Sequence, residues 1–91
     1  MKILIVDDDL VSRKYLHGIL RRYGYCEIAA NGKEAVEYVR ASIERKDPYD
    51  LVFLDIMMPE MDGDETLEVI RNMEEEAEIS SGQGAKIAMI S

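Results

Sequence analysis

Cysteine occurs once in this chain, at Cys26. A single thiol excludes an internal disulfide and lacks the second thiolate of a cysteine zinc site, a usage that suits a reducing cytosol. Basic residues are also scarce. Eleven Lys and Arg stand against 19 Asp and Glu, for a net charge of -8. With no basic cluster to neutralise phosphates, direct nucleic-acid binding is not expected, and a cation or a basic partner is the natural complement. Long apolar runs are missing too, so no segment is expected to span a bilayer. The short stretch before Asp7 does not have the length of a signal sequence, and the expected location is the cytoplasm. His17 is the one histidine; it reads as a surface residue, since it has no second imidazole to work with. Neither a repeat nor a second domain is visible. The 91 residues, 47% apolar and 33% charged, read as one small globular domain covering 1–91.

What is present alternates. Ile3-Leu4-Ile5-Val6 is a fully apolar run, the pattern of a strand covered on both faces. From about Leu10 to Tyr23 the period becomes helical, with Leu16, Ile19, Leu20 and Tyr23 on the apolar stripe and Gly24 placed to end it. Tyr25 to Ala30 reads as a weaker strand, interrupted by Glu27 and better suited to a sheet edge. Asn31 with Glu34 resembles a capping box, opening a helix whose stripe is Ala35, Val36, Val39 and Ile43, and Lys46-Asp47-Pro48 closes it. Leu51 to Leu54 form a second buried strand. Asp62 can cap a third helix, from about Gly63 to Met73, through Glu65. Glu74 to Glu78 reads as a solvated helix end, followed by a loop and a last strand, Lys86 to Ser91. Cys26 reads as a small core residue, and the tyrosines as packing groups with solvated hydroxyls. This β-α-β-α-β-α-β order implies a parallel sheet with helices on both sides.

Two of the strands are tipped with acid. Asp7-Asp8-Asp9 follows the first, and Asp55 follows Leu54 directly, ahead of a Met57-Met58-Pro59 turn. Acids are costly inside such runs, and they belong at carboxyl strand ends, where open α/β sheets bind ligands. Carboxylates gathered there need a cation. Magnesium suits Asp7, Asp8 and Asp55, with manganese as an alternative and the Met57 backbone oxygen completing the set. With a metal offsetting charge, Asp55 could attack phosphorus and form an acyl phosphate. Ser91, at the end of the last strand, could donate a hydrogen bond to a phosphoryl oxygen.

The segments ILIVDDD, DLVFLDIMMPEMDG and AMIS, in this order, resemble the receiver domain of two-component response regulators. The resemblance implies a flavodoxin-like, doubly wound fold and phosphoryl transfer to Asp55 from a sensor histidine kinase or a phosphotransfer protein. It also implies that Asp8 is the main direct metal ligand, that Asp7 acts through water, and that Ser91 is the hydroxyl that senses the phosphoryl group. Asp9 is expected to cap the first helix. The family continues beyond the Ser91 position with a helix, a fifth strand that carries a lysine, and a final helix. The expectation is therefore a fragment of a longer protein. The competing accounts are a homodimer through the open Ile87 to Ile90 edge, or a different natural ending. Two other functions compete with the signalling module. One is a magnesium-dependent aspartyl phosphatase or phosphotransferase of the haloacid dehalogenase type, using Asp7 and Asp9; the other is a truncated binding module that is not phosphorylated.

Overall fold

Ile3, Leu4, Ile5 and Val6 are all fully buried, because alternate side chains of this strand enter two different cores. The computed structural model describes residues 1–55, 63–77 and 84–90. Its elements run β1 (Lys2–Val6), α1 (Leu10–Leu20), β2 (Tyr25–Ala29), α2 (Gly32–Glu44), β3 (Leu51–Asp55), α3 (Gly63–Glu76) and β4 (Lys86–Ile90). The four strands form one parallel sheet in the order β2-β1-β3-β4. This is the doubly wound α/β arrangement expected from the pattern. The edge position of β2 matches its weaker composition.

One face carries the larger core. Leu4, Val6, Ala29, Val52 and Leu54 from the sheet meet Ala35 and Val39 of α2 and Ile70 of α3. On the other face Ile3 and Ile5 meet Leu16 and Leu20 of α1, with Ile28, Leu51 and Phe53 packed alongside. Each fully buried aliphatic side chain contributes roughly 1.5–3 kcal/mol relative to exposure. The connection through α1 steps from β1 outward to β2, and the one through α2 crosses back past β1 to β3. Right-handed crossovers running in opposite directions put their helices on opposite faces and make the β1/β3 boundary a topological switch point.

The helix ends follow local chemistry. Asn31 Oδ1 accepts from Glu34 N–H at 2.9 Å, while Glu34 Oε1 accepts from Ala30 N–H at 2.9 Å, so the reciprocal bond falls one residue before the cap. Four expectations need correction. First, α1 stops at Leu20, and residues 21–23 are a turn, which leaves Tyr23 exposed; Ile19, within the helix, is 42% exposed rather than on the buried stripe. Gly24 is required by a close approach instead of a helix cap, since a Cβ there would lie 1.9 Å from the Met1 carbonyl oxygen. Second, α3 continues three residues past Met73 to Glu76. Third, Glu74 is buried and hydrogen-bonded rather than part of a solvated end. Fourth, Tyr49 is buried and its hydroxyl donates to Glu27 Oε1 at 2.5 Å, whereas Tyr15, Tyr23 and Tyr25 are exposed. The Asp62 cap lies outside the described residues. Among the described residues no helix is long and apolar enough to cross a membrane.

Candidate functional site

Register brings the acids together. β1 and β3 are parallel neighbours, with Val6 opposite Leu54. The next residue on each strand is therefore an aspartate, Asp7 on one and Asp55 on the other. Asp7 N–H donates to the Ala29 carbonyl at 3.1 Å, holding the chain against β2 one residue beyond the strand. The Asp7 side chain is buried, and its Oδ1 accepts from Asp9 N–H at 2.9 Å, which bends the chain and presents Asp8 at the rim. Asp9 then begins α1: its carboxylate accepts from Val11 N–H at 3.3 Å and from Ser12 Oγ at 2.9 Å. The Ser12 hydroxyl, more than the Val11 amide, holds the Asp9 carboxyl below the usual carboxylate range.

Asp7, Asp8 and Asp55 each offer a carboxylate oxygen, and these oxygens all lie within 4.8 Å of one another. The three differ in burial: Asp7 is buried, Asp55 half-buried and Asp8 exposed. Such an all-oxygen set is a donor group for a hard divalent cation, and it leaves room for water ligands at the exposed side. Buried Asp7 is held by a backbone amide, while exposed Asp8 can turn toward an ion.

The response regulator receiver domain family matches residues 3–86 of the chain. The chain belongs to that family. Hybrid signal transduction histidine kinase B of Dictyostelium discoideum is 42% identical over 86 residues, spanning 93% of this chain but 4% of that protein. Transcriptional regulatory protein ZraR of Klebsiella oxytoca is 46% identical over 70 residues, covering 76% of this chain and 15% of that protein. The chain thus corresponds to a small part of the curated relatives it matches. Among solved structures, the receiver domain of the histidine kinase CKI1 from Arabidopsis thaliana complexed with Mg2+ superposes with a TM-score of 0.87 at 32% identity, over 99% of this chain and 66% of that one.

Within this receiver fold, the three acids expected to meet do meet. Met57 and Ser91, the other two expected site residues, lie outside the described residues. Asp9 is engaged as a helix cap, and His17 is half-buried on α1, a different element from the acid cluster. Sequence reasoning missed Arg71 and Glu74 of α3, whose side chains grip the backbone of Ala85 just before β4. The signal for Glu74 was present, because it stands four residues after buried Ile70 and so on the inward face of the helix.

Proposed function

We propose that this receiver domain, read as residues 1–91, is the phosphoacceptor module of a two-component system, with Asp55 as the residue that takes the phosphoryl group. The observation that supports this reading is the convergence of Asp7, Asp8 and Asp55 at the switch point of the sheet. In the proposed transfer, an Asp55 oxygen forms a bond to phosphorus as the phosphorus–nitrogen bond of a phosphohistidine breaks. The electron pair leaves on the imidazole nitrogen, which takes up a proton. The donor is a sensor histidine kinase or a phosphotransfer protein. Asp8 and Asp55 would hold Mg2+, with Mn2+ as a substitute, Asp7 acting through water and the Met57 carbonyl completing the set. A bound divalent ion would offset the mutual repulsion of the carboxylates and the charge of the phosphoryl oxygens. Ser91 is the proposed hydroxyl partner of the phosphoryl group. The module acts as a switch and not as a turnover enzyme, in the cytoplasm, and pairing of two copies along the β4 edge is one route to its output.

Asp9 bears on the phosphatase alternative. That reading needs Asp7 and Asp9 to work together, whereas the Asp9 carboxylate is committed to Val11 and Ser12. The test is Asp55→Asn, treated with acetyl phosphate and Mg2+. The expected outcome is complete loss of acyl phosphate, read by mass spectrometry. Label that persists and maps to Asp7 would replace this reading with the phosphatase. A wild-type chain that binds Mg2+ but gains no label would favour the unphosphorylated binding module.

A further inference from the structure

The side chains of β4 say little about its own register. Ile87, Ala88, Met89 and Ile90 are apolar throughout. Alternation, which ordinarily makes a one-residue slip costly by turning the apolar set to solvent, discriminates weakly in such a strand. Among the described strands β4 pairs with β3 alone. Its pairing is nonetheless definite, from Leu51 opposite Lys86 to Asp55 opposite Ile90.

Three hydrogen bonds at the start of the strand supply what the side chains of β4 do not. Arg71 Nη2 donates to the Ala85 carbonyl at 2.9 Å, and Ala85 N–H donates to Glu74 Oε2 at 2.7 Å. Arg71 Nη1 closes the loop by donating to Glu74 Oε1 at 2.5 Å. One side-chain pair therefore takes both backbone groups of a single residue, as a neighbouring strand would. Glu74 is 7% exposed, a burial that a carboxylate tolerates when its oxygens are bonded in this way. Gly84 completes the fit. A Cβ on it would lie 2.6 Å from Glu74 Oε1 and 2.8 Å from Arg71 Nη1, so a side chain there would displace the ends of these two side chains.

We propose that Arg71 and Glu74 are positioning residues that clamp Ala85 and so set the height at which β4 passes Asp55. The inference rests on the phosphoacceptor reading. A slip of two residues would move the carboxyl end of β4 by roughly 6.6 Å along Asp55, and of one residue by half that, since a parallel strand rises ~3.3 Å per residue. Asp7 and Asp8 follow β1, which pairs with β2 and β3, whereas Asp55 pairs directly with β4. The clamp should therefore act on phosphoryl uptake at Asp55 more strongly than on metal affinity, a split that general loosening of the fold would not produce.

The test compares wild type with Glu74→Gln, Gly84→Ala and the conservative Arg71→Lys. Mg2+ affinity is measured by calorimetry, Asp55 labelling with acetyl phosphate, and β3/β4 pairing by cross-strand nuclear Overhauser effects. The expected result is Mg2+ affinity within about twofold of wild type, as for independent sites. Labelling should fall about tenfold or more in Gly84→Ala, since ångström misplacements at a reacting centre cost up to ~100-fold. Pairing of Ala85 and Lys86 should loosen, and Arg71→Lys should retain part of the labelling. Unchanged labelling in all three variants, or a parallel loss of Mg2+ binding and labelling, overturns the proposal. If Gly84→Ala does not fold, Glu74→Gln and Arg71→Lys decide on the same criteria. If wild type itself takes no label, it is the phosphoacceptor reading that fails; the clamp is then judged on pairing alone, and native β3/β4 contacts in the variants would overturn it.

Discussion

The two ends of the sheet use their acids differently. At the amino end the acids are held separately, by a lysine, a backbone amide and a tyrosine hydroxyl. Lys2 N–H donates to Asp50 Oδ2 at 2.7 Å, and Lys2 Nζ donates to the Asp47 carbonyl at 2.7 Å and stands 3.3 Å from Asp47 Oδ2. The same ammonium lies 4.7 Å from the centroid of the Tyr49 ring, and the Tyr49 hydroxyl is bonded to Glu27. Met1, Lys2, Tyr25, Glu27, Arg45, Asp47 and Asp50 line an open depression of about 580 Å3 there. Several of its charged groups are already joined to one another. At the carboxyl end three carboxylates are drawn to within 4.8 Å. The same residue types thus stabilise the fold at one end and, at the other, form an arrangement that a cation would complete.

That contrast can be broken at either end. The largest effect is expected for Asp8→Asn. Removing one of three carboxylates should weaken Mg2+ binding by about ten- to hundredfold, measured by calorimetry. Next, Tyr49→Phe should cost about 1–2 kcal/mol in urea denaturation, because it leaves the Glu27 carboxylate without its hydroxyl donor in a part-buried place. The sign should reverse for Asp8→Asn without metal. Relief of like-charge repulsion, screened by water at exposed Asp8, should raise stability by about 0.5–1 kcal/mol in EDTA. Asp9→Ala separates neighbours: it should cost about 1 kcal/mol as a lost cap and leave Mg2+ affinity nearly unchanged.

Alkaline titration sharpens the amino end further. Burial first, and then the bond to Glu27, push the Tyr49 hydroxyl well above its ordinary value. A group whose folded pKa is raised stabilises the fold fully below its unfolded pKa and loses that contribution as pH rises. Stability should therefore decline above about pH 10 through Tyr49, the ordinary tyrosine value. In Tyr49→Phe this part of the decline should be absent; an identical alkaline profile for the two proteins would refute the assignment.

Much of the fold was legible because its signals are local. The apolar runs at Ile3 to Val6 and Leu51 to Leu54 marked buried parallel strands, Glu27 marked the edge strand, and Asn31 with Glu34 marked the start of α2. The misreadings share a different cause. Glu74 and the Tyr49 hydroxyl were assigned to solvent on residue type, yet each is taken up by a distant backbone or side chain that supplies its hydrogen-bond partner. Tyr23 failed in the other direction. Its helical spacing was right, but α1 ended at Leu20 before the stripe reached it.

By itself the sequence determined which residues could carry chemistry, since an aspartate following directly on a buried strand is already placed at the strand's carboxyl end. It determined the order of strands and helices for the same reason, because periodicity is a property of neighbouring residues. Only the tertiary structure decided that Asp7 and Asp55 stand side by side and that Arg71 and Glu74 hold Ala85. Those facts depend on strand order and register across 48 residues in one case and 11 to 14 in the other. Such distances are spanned by hydrogen bonds between segments, and no local pattern records them.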